Sequence, residues 1–311
     1  QGYNYPFLLT FQSESSIDER NSYVTDDYFA FLKDTDGRNL LSDKPVIGVG
    51  RFPVRTISEA TTAVDKVINY SKNTNYGIWK NELCFIADDG NHSGHMKLAE
   101  DLIKIVEKNN PEFLSNKLYI DAYNKVGGSS GGTYPDAKKE MMNYFENGQL
   151  IVNYAGHGSA TSWTKEKLLT IQDIKKLYLE KLPFFITATC DFSRFDAPTT
   201  SAGEEMFLNS KGGGIGLIST TRVVYMDKNE TFNKELISHL FNRDENGNRY
   251  RIGDVVKLSK SAVTEHYGQD LNKLNFILLA DPALKLAFPE YKIEITEING
   301  EKITGNPYDI V

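Results

Sequence analysis

The sequence predicts an α/β protein in which helices cover both faces of a mostly parallel sheet. Short apolar runs alternate with helical patterns from about residue 45 onward, and the runs are apolar almost throughout rather than at every second position. The 311 residues, of which 40% are hydrophobic and 25% charged, have ordinary globular composition and provide enough chain for a large core.

Apolar runs bounded by turn residues predict the strands, and a last apolar segment, 275–286, completes the pattern. The predicted strands cover residues 45–50, 82–87, 117–123, 150–156, 183–189 and 213–220. Between them lie segments with apolar residues at helical spacing. The predicted helices cover residues 57–73, 95–110, 137–148, 171–179, 202–209, 228–242 and 252–267.

Capping residues support two of these helices. Ser58 is the candidate N-cap of the first, and Gly148 ends the helix over 137–148. The glycine-rich segment 126–136 predicts a flexible loop.

The last stretch of the chain has a different character. Residues 291–305 alternate apolar and polar positions around Asn299-Gly300, which predicts a hairpin and the start of a further β domain. The chain begins with Gln1 and a buried-looking run, so we expect it to be part of a longer precursor. The lack of a visible signal peptide therefore carries no information.

Charge and hydropathy exclude some classes of protein. The net charge of −7 disfavours nucleic acid as a partner, because phosphate binding requires a basic face. No run of about 18 apolar residues is present, so we predict no membrane span. Of the two cysteines, Cys84 lies inside an apolar strand and is expected to be structural, whereas Cys190 follows the end of a strand.

His157 and Cys190 are the candidate catalytic pair. Each comes just after a predicted strand, and the carboxyl ends of parallel strands meet at one edge of a sheet. The two strands lie about 5 Å apart if they are neighbours and about 10 Å apart if they are next-nearest, and at either distance the two side chains can converge. A thiol needs a base to become a nucleophile at neutral pH, and histidine is the usual one.

Glycines on both sides of His157 fit this interpretation. Gly158 leaves room for a peptide carbonyl to approach, and its N–H together with that of Cys190 could form an oxyanion hole.

A third residue is expected to orient the imidazole, and the segment after the strand 82–87 offers two candidates, Asp88 and Asp89. Asp88, Asp89, Asn91, His92 and His95 also form a cluster that a metal could use. No distant zinc ligand is evident, and calcium fits oxygen ligands better, although the spacing does not match an EF-hand loop. We predict no catalytic metal and no required cofactor, and we keep a structural calcium ion as an alternative.

A nucleotide-binding α/β domain is a competing interpretation that rests on the glycine groups at 127–132 and 212–214. The first lacks the Gly-Lys-Ser/Thr of a phosphate-binding loop, and the second precedes a strand rather than a helix. Neither group supports the interpretation.

Four segments resemble the gingipain-type cysteine peptidases, family C25 of the caspase-like clan. LIVNYAGHGSATSW (150–163) resembles their histidine motif, and PFFITATCDFSRFDAPTTSAGEEMF (183–207) is similar to the cysteine motif of the PorU-type branch. GGGIGLISTTRVVY (212–225) and LLADPALKL (278–286) also match that branch, whose members are sortases of the type IX secretion system of Bacteroidetes. The resemblance spans roughly residues 1–290.

The resemblance implies a caspase-like fold in three parts. They are a smaller and incomplete N-terminal α/β subdomain (1–76), a catalytic subdomain (77–290) and the first strands of an immunoglobulin-like domain (291–311). It also implies that His157 is the base, that Cys190 is the nucleophile, and that Asp89 takes the place of the family's third residue. Asp89, rather than Asp88, is therefore the expected partner of His157.

The activity that the resemblance implies is cleavage of peptide bonds through a thioester on Cys190, with water or an amine as acceptor. The substrate would be the C-terminal secretion signal of a cargo protein. Other secretion-system subunits and a lipopolysaccharide acceptor are the implied partners, at the cell surface or outside the cell. We also expect Arg222 to line the substrate groove. The alternative is a non-catalytic module that keeps the fold.

Overall fold

The computed structural model describes residues 9–16, 18–127, 131–291 and 295–302, and its centre is a six-stranded sheet. Its strands in chain order are β1 (Glu82–Ala87), β2 (Leu114–Tyr119), β3 (Ile151–Ala155), β4 (Phe184–Ala188), β5 (Gly216–Thr220) and β6 (Phe276–Leu279). Their order across the sheet is β6-β5-β4-β3-β1-β2. All neighbouring strands are parallel except β5 and β6, which are antiparallel. The predicted sheet is thereby confirmed.

Helices cover both faces of the sheet. They are α1 (Ile57–Ser71), α2 (Gly94–Asn109), α3 (Pro135–Asn147), α4 (Ile171–Lys176), α5 (Ala202–Leu208), α6 (Met226–Leu240), α7 (Ile252–Tyr267) and α8 (Asn272–Asn275). Four 3-10 helices, Asp27–Ala30, Ile78–Asn81, Asn91–Ser93 and Ile120–Ala122, connect the larger elements.

Alternation along each central strand sends side chains into two separate cores. In β1, Leu83 and Phe85 belong to the core that α2, α6 and α7 complete, whereas Cys84 and Ile86 belong to the core on the other face. Every residue of β3, β4 and β5 is buried, which explains why their sequences are apolar almost throughout.

Helix ends agree with the prediction at one position and differ at another. Gly148 follows α3 with a φ of 96°, in the region that favours glycine. The N-cap of α1 is Thr56 rather than Ser58: its hydroxyl accepts from the Glu59 N–H while the Glu59 carboxylate accepts from the Thr56 N–H. These two reciprocal hydrogen bonds satisfy the backbone N–H groups of Thr56 and Glu59, and they fix the start of the helix.

The prediction of a strand over residues 45–50 is wrong. This segment is irregular, and only at Arg51 does a backbone N–H donate to the β6 carbonyl of Leu278, at 2.8 Å. A Cβ at Gly48 would lie 2.4 Å from the Gly253 carbonyl carbon, and one at Gly50 would lie 2.4 Å from the Ala280 oxygen. The segment therefore packs across the backbone at the end of β6 instead of pairing along it.

Buried ion pairs attach the first part of the chain to the large sheet. Arg51 binds both oxygens of Asp26 at 2.6 Å, and the Lys260 ammonium of α7 binds both oxygens of Asp27 at 2.6 Å. Within residues 9–76 the described strands are Phe11–Gln12 and Val24–Thr25, which pair with each other. The division of the chain at residues 76 and 290 stays a prediction.

The predicted C-terminal hairpin is present in the described residues. Glu297–Ile298 pairs with Glu301–Lys302, and the turn residues Asn299 and Gly300 have φ values of 54° and 84°, as a type I′ turn requires. The rest of the predicted hairpin, residues 292–294 and 303–305, lies outside the described residues, as do residues 128–130 of the predicted loop. The immunoglobulin-like domain stays a prediction. No helix within the described part of the chain has the length and hydropathy to cross a bilayer.

Candidate active site

Three neighbouring strands end in register at one edge of the sheet. Ala155 at the end of β3 pairs with Ala87 of β1 on one side and with Ala188 of β4 on the other. His157 and Cys190 each lie two residues beyond their alanine, so the register places them at equivalent positions after adjacent strands. This is the arrangement that the sequence predicts for the pair.

Hydrogen bonds on both sides hold the backbone of His157. Its N–H donates to Asp88 Oδ2 at 2.6 Å. Its carbonyl accepts from the Tyr154 hydroxyl at 2.6 Å and from the Thr164 N–H at 2.8 Å. The Tyr154 ring stacks on Trp163 at 4.2 Å between centroids, both buried. The imidazole is exposed, so it projects toward solvent from a fixed piece of backbone.

Asp89, the expected partner of the His157 imidazole, contacts other groups. Asp89 is exposed and accepts from the Tyr134 hydroxyl at 2.5 Å, with the Lys125 ammonium 4.0 Å away. No hydrogen bond joins it to His157 in the residues described. The carboxylate that hydrogen-bonds to His157 is Asp88, which is 2% exposed and accepts from the backbone N–H rather than from the imidazole. Successive side chains at the end of a strand point to opposite sides, and here Asp88 rather than Asp89 lies on the side of His157.

Glycines make room for protein groups around His157. A Cβ at Gly156 would lie 2.4 Å from the Tyr154 hydroxyl, and one at Gly158 would lie 2.3 Å from Thr189 Oγ1. Gly90 packs directly against the imidazole, since a Cβ at this position would lie 2.8 Å from His157 Nε2. Close packing thus accounts for these glycines, and the oxyanion-hole role of Gly158 and Cys190 stays a prediction.

His95 is a residue of this site that the prediction placed only in a possible metal cluster. It lies in the first turn of α2, it is 6% exposed, and its ring meets that of His157 edge-on at 5.4 Å between centroids. Burial lowers the pKa of His95, and the neighbouring Asp88 charge opposes that effect. Asp88, His95 and His157 offer ligand atoms that all lie within 4.8 Å of one another.

The Cys190 thiol is half-buried and hydrogen-bonds to the Val224 carbonyl at 3.7 Å. Burial raises the pKa of this thiol, and the charge of Asp191 raises it further. Asp191 has a left-handed backbone, with a φ of 56°, and burial raises the pKa of its own carboxyl to about 6. Cys84 is fully buried, which also raises the pKa of its thiol.

The expectation that Arg222 lines a substrate groove is wrong. Its side chain is 1% exposed, and its guanidinium binds both oxygens of Asp196 at 2.9 and 2.6 Å. It also donates to the Ser22 hydroxyl and the Ser16 carbonyl. Arg222 therefore joins the loop after Cys190 to the N-terminal part of the chain. A lone arginine after a strand carries no sequence signal for this burial.

Known proteins share both sequence and fold with this chain. The family described as Peptidase family C25 matches residues 2–287. Gingipain R2 of Porphyromonas gingivalis is 24% identical over 76% of this chain and 32% of its own length. Gingipain R1 of the same species is also 24% identical, over 76% of this chain and 24% of its own length. The chain thus spans a third or less of these curated relatives.

Two solved structures are similar to this chain to different degrees. The Arg-specific cysteine proteinase gingipain R (RgpB) superposes with a TM-score of 0.67 at 19% identity, covering 85% of this chain and 60% of that one. Dimeric latent PorU from Porphyromonas gingivalis is 28% identical, covers 96% of this chain and 22% of that one, and has a TM-score of 0.41. The likeness to gingipain R confirms the predicted gingipain-type fold.

The difference between the two thiols predicts selective alkylation. Iodoacetamide should modify Cys190 and leave Cys84 unmodified in the folded protein, as measured by peptide mapping. Asp191→Asn should speed alkylation of Cys190 at pH 7.5, because it removes a charge that raises the thiol pKa. The gain should shrink below about pH 6, where Asp191 is protonated in the wild type. Faster labelling of Cys84, or an unchanged rate in the variant, would contradict this account.

The buried Arg222–Asp196 pair predicts a loss of stability when the arginine is removed. Arg222→Met should lower the free energy of unfolding by about 3 kcal/mol, because it leaves the Asp196 carboxylate without its cation. Arg20→Met, at an exposed arginine, should change it by less than about 0.5 kcal/mol. Urea unfolding of both variants measures this. An Arg222→Met protein of wild-type stability would show that the buried pair does not stabilise the fold.

Proposed function

The chain belongs to peptidase family C25, and we propose that it is an active cysteine peptidase with Cys190 as nucleophile and His157 as base. The observation that carries the proposal is the register of β3 and β4, which puts the two residues at equivalent positions after adjacent strands. Neighbouring strands are about 5 Å apart, so the imidazole and the thiol can meet across a bound peptide.

The chemistry follows from these two groups. His157 takes the proton of the Cys190 thiol as Sγ attacks the peptide carbonyl, and it then gives that proton to the leaving amine. The carbon–nitrogen bond breaks and a thioester remains on Cys190. Water or the amine of an acceptor attacks the thioester, and the thiol is regenerated. The backbone N–H groups of Gly158 and Cys190 would stabilise the oxyanion.

Two features favour slow action on general substrates. Burial raises the pKa of Cys190, so little thiolate exists at neutral pH before a substrate is bound. The thiol also donates a hydrogen bond to the Val224 carbonyl. Among the described residues, no hydrogen bond joins the thiol to His157. A substrate must therefore bring thiol and base together, which favours a peptidase that acts on one specific segment.

The substrate that we propose is the C-terminal secretion signal of type IX cargo, removed outside the cytoplasm by hydrolysis or by transfer to an amine. The support is the resemblance of residues 183–207 to the PorU-type cysteine motif. Other secretion-system subunits and a lipopolysaccharide would then be partners. The Val224 contact of the thiol also suits the alternative, a non-catalytic module that has kept the fold.

Cleavage assays separate these possibilities. Wild type should release the C-terminal domain of a type IX cargo protein and digest casein slowly. Cys190→Ala and His157→Gln should each lower kcat/KM on the cargo by about 10⁴-fold, because the two residues act as a unit. Cys84→Ala is the matched control and should keep the wild-type rate.

Two outcomes would contradict parts of the proposal. Rapid, unselective casein digestion by wild type would contradict signal removal and leave a general peptidase. No cleavage of either substrate, with Cys190 also unreactive toward a peptidyl chloromethyl ketone, would contradict the peptidase and favour the non-catalytic module.

A further inference from the structure

We propose that Asp88, His95 and His157 form a binding site for Zn²⁺, and that the bound ion holds His157 in an inactive state. The ligand atoms of these three residues lie within 4.8 Å of one another. Only the inactivation rests on the proposed function, because metal binding requires nothing of Cys190.

The inner two ligands already have the spacing of a zinc site. Asp88 Oδ1 and His95 Nε2 are 3.4 Å apart, and the side chains are 2% and 7% exposed. Bonds of about 2.0–2.1 Å to a tetrahedral zinc ion put two ligand atoms about 3.4 Å apart. These two side chains could therefore bind the ion without moving apart.

His95 Nε2 has two polar neighbours, the Asn91 amide and the Asp88 carboxylate. The Asn91 amide nitrogen lies 3.0 Å from His95 Nε2, and in the tautomer that carries its proton on Nδ1 the lone pair of Nε2 accepts from this amide. Asp88 Oδ1 is the second polar atom beside Nε2, at 3.4 Å, inside the protein. A cation bound between Nε2 and Asp88 Oδ1 would take that lone pair in place of Asn91, which is exposed and can move aside.

His157 supplies the third ligand from the solvent side. Its backbone is held by the Asp88 Oδ2 bond, but its imidazole is exposed and can turn toward the other two residues. Gly90 leaves the space for that ring, and its N–H donates to Asp88 Oδ1 at 3.1 Å. Hydrogen bonds of this kind orient a ligating carboxylate.

The ligand types of Asp88, His95 and His157 favour zinc over calcium and magnesium. Two imidazoles, one carboxylate and an open fourth position for water are typical of zinc sites. Calcium and magnesium prefer sites made of oxygen ligands. This set also differs from the one considered from the sequence, because it leaves out Asp89 and His92.

Zinc binding and catalysis compete for the same nitrogen lone pair. A base must accept the Cys190 proton on a free imidazole nitrogen, and a nitrogen bound to zinc cannot accept a proton. The zinc-bound protein would therefore be a reversible, inactive form.

Isothermal titration with Zn²⁺ tests the site, using the Cys190→Ala protein so that the thiol cannot be a ligand. His95→Gln in that background should weaken zinc binding at this site by about 100-fold or more. His92→Gln, at an exposed histidine outside the set, should leave the dissociation constant within about twofold. Zinc that binds at other exposed groups, such as His266, binds equally in every variant. It therefore does not affect the difference in zinc binding between variants. Thermal unfolding without metal confirms that each variant is folded.

The outcomes separate this inference from the proposed function. Zinc binding that His95→Gln removes would support the site even if the wild type cleaves nothing. Zinc binding that is absent, equal in His95→Gln, or displaced by equimolar Ca²⁺ or Mg²⁺ would overturn it, even if the wild type is an active peptidase.

Discussion

The site depends on the hydrogen bonds that the buried carboxylate of Asp88 accepts. Asp88 follows β1, yet it accepts the N–H of His157 beyond β3 at 2.6 Å and the N–H of Gly90 at 3.1 Å. A carboxylate that is 2% exposed must have such donors, because a buried charge without them is costly. The bond thus joins the ends of two adjacent strands and fixes the backbone from which the imidazole projects. The register of β3 and β4 then sets the position of Cys190 relative to that imidazole.

The thiol side of the site is held by a different set of contacts from the histidine side. Cys190 contacts the Val224 carbonyl, and Asp191 next to it carries a negative charge that raises the thiol pKa. The loop that follows is held by the buried Arg222–Asp196 pair, which also reaches Ser22 in the N-terminal part of the chain. In the proposed function, a specific peptide fills the space between His157 and Cys190 and brings the base and the thiol together.

The sheet and the placement of His157 and Cys190 at one edge of it could be predicted because both depend on local patterns. Alternating apolar runs and helical segments dictate a parallel sheet, and residues at the ends of parallel strands must meet at one edge. The choice between Asp88 and Asp89 could not be made, because alternation says that they diverge but not which one faces β3. The burial of Arg222 depends on Asp196 and on Ser16 and Ser22, about 200 positions earlier. The contact of His95 with His157 joins a helix and a strand end, so no local spacing indicates it.

The most direct test of this account compares the two neighbouring carboxylates in the peptidase assay. Asp88→Ala removes the acceptor of the His157 N–H, and the account predicts a loss of about 100-fold or more in kcat with little change in KM. Asp89→Ala removes only the contacts with Tyr134 and Lys125, and kcat should stay within about threefold of wild type. Thermal unfolding shows whether each variant is folded at the assay temperature. A folded Asp89→Ala protein without activity, beside an active Asp88→Ala protein, would contradict the account.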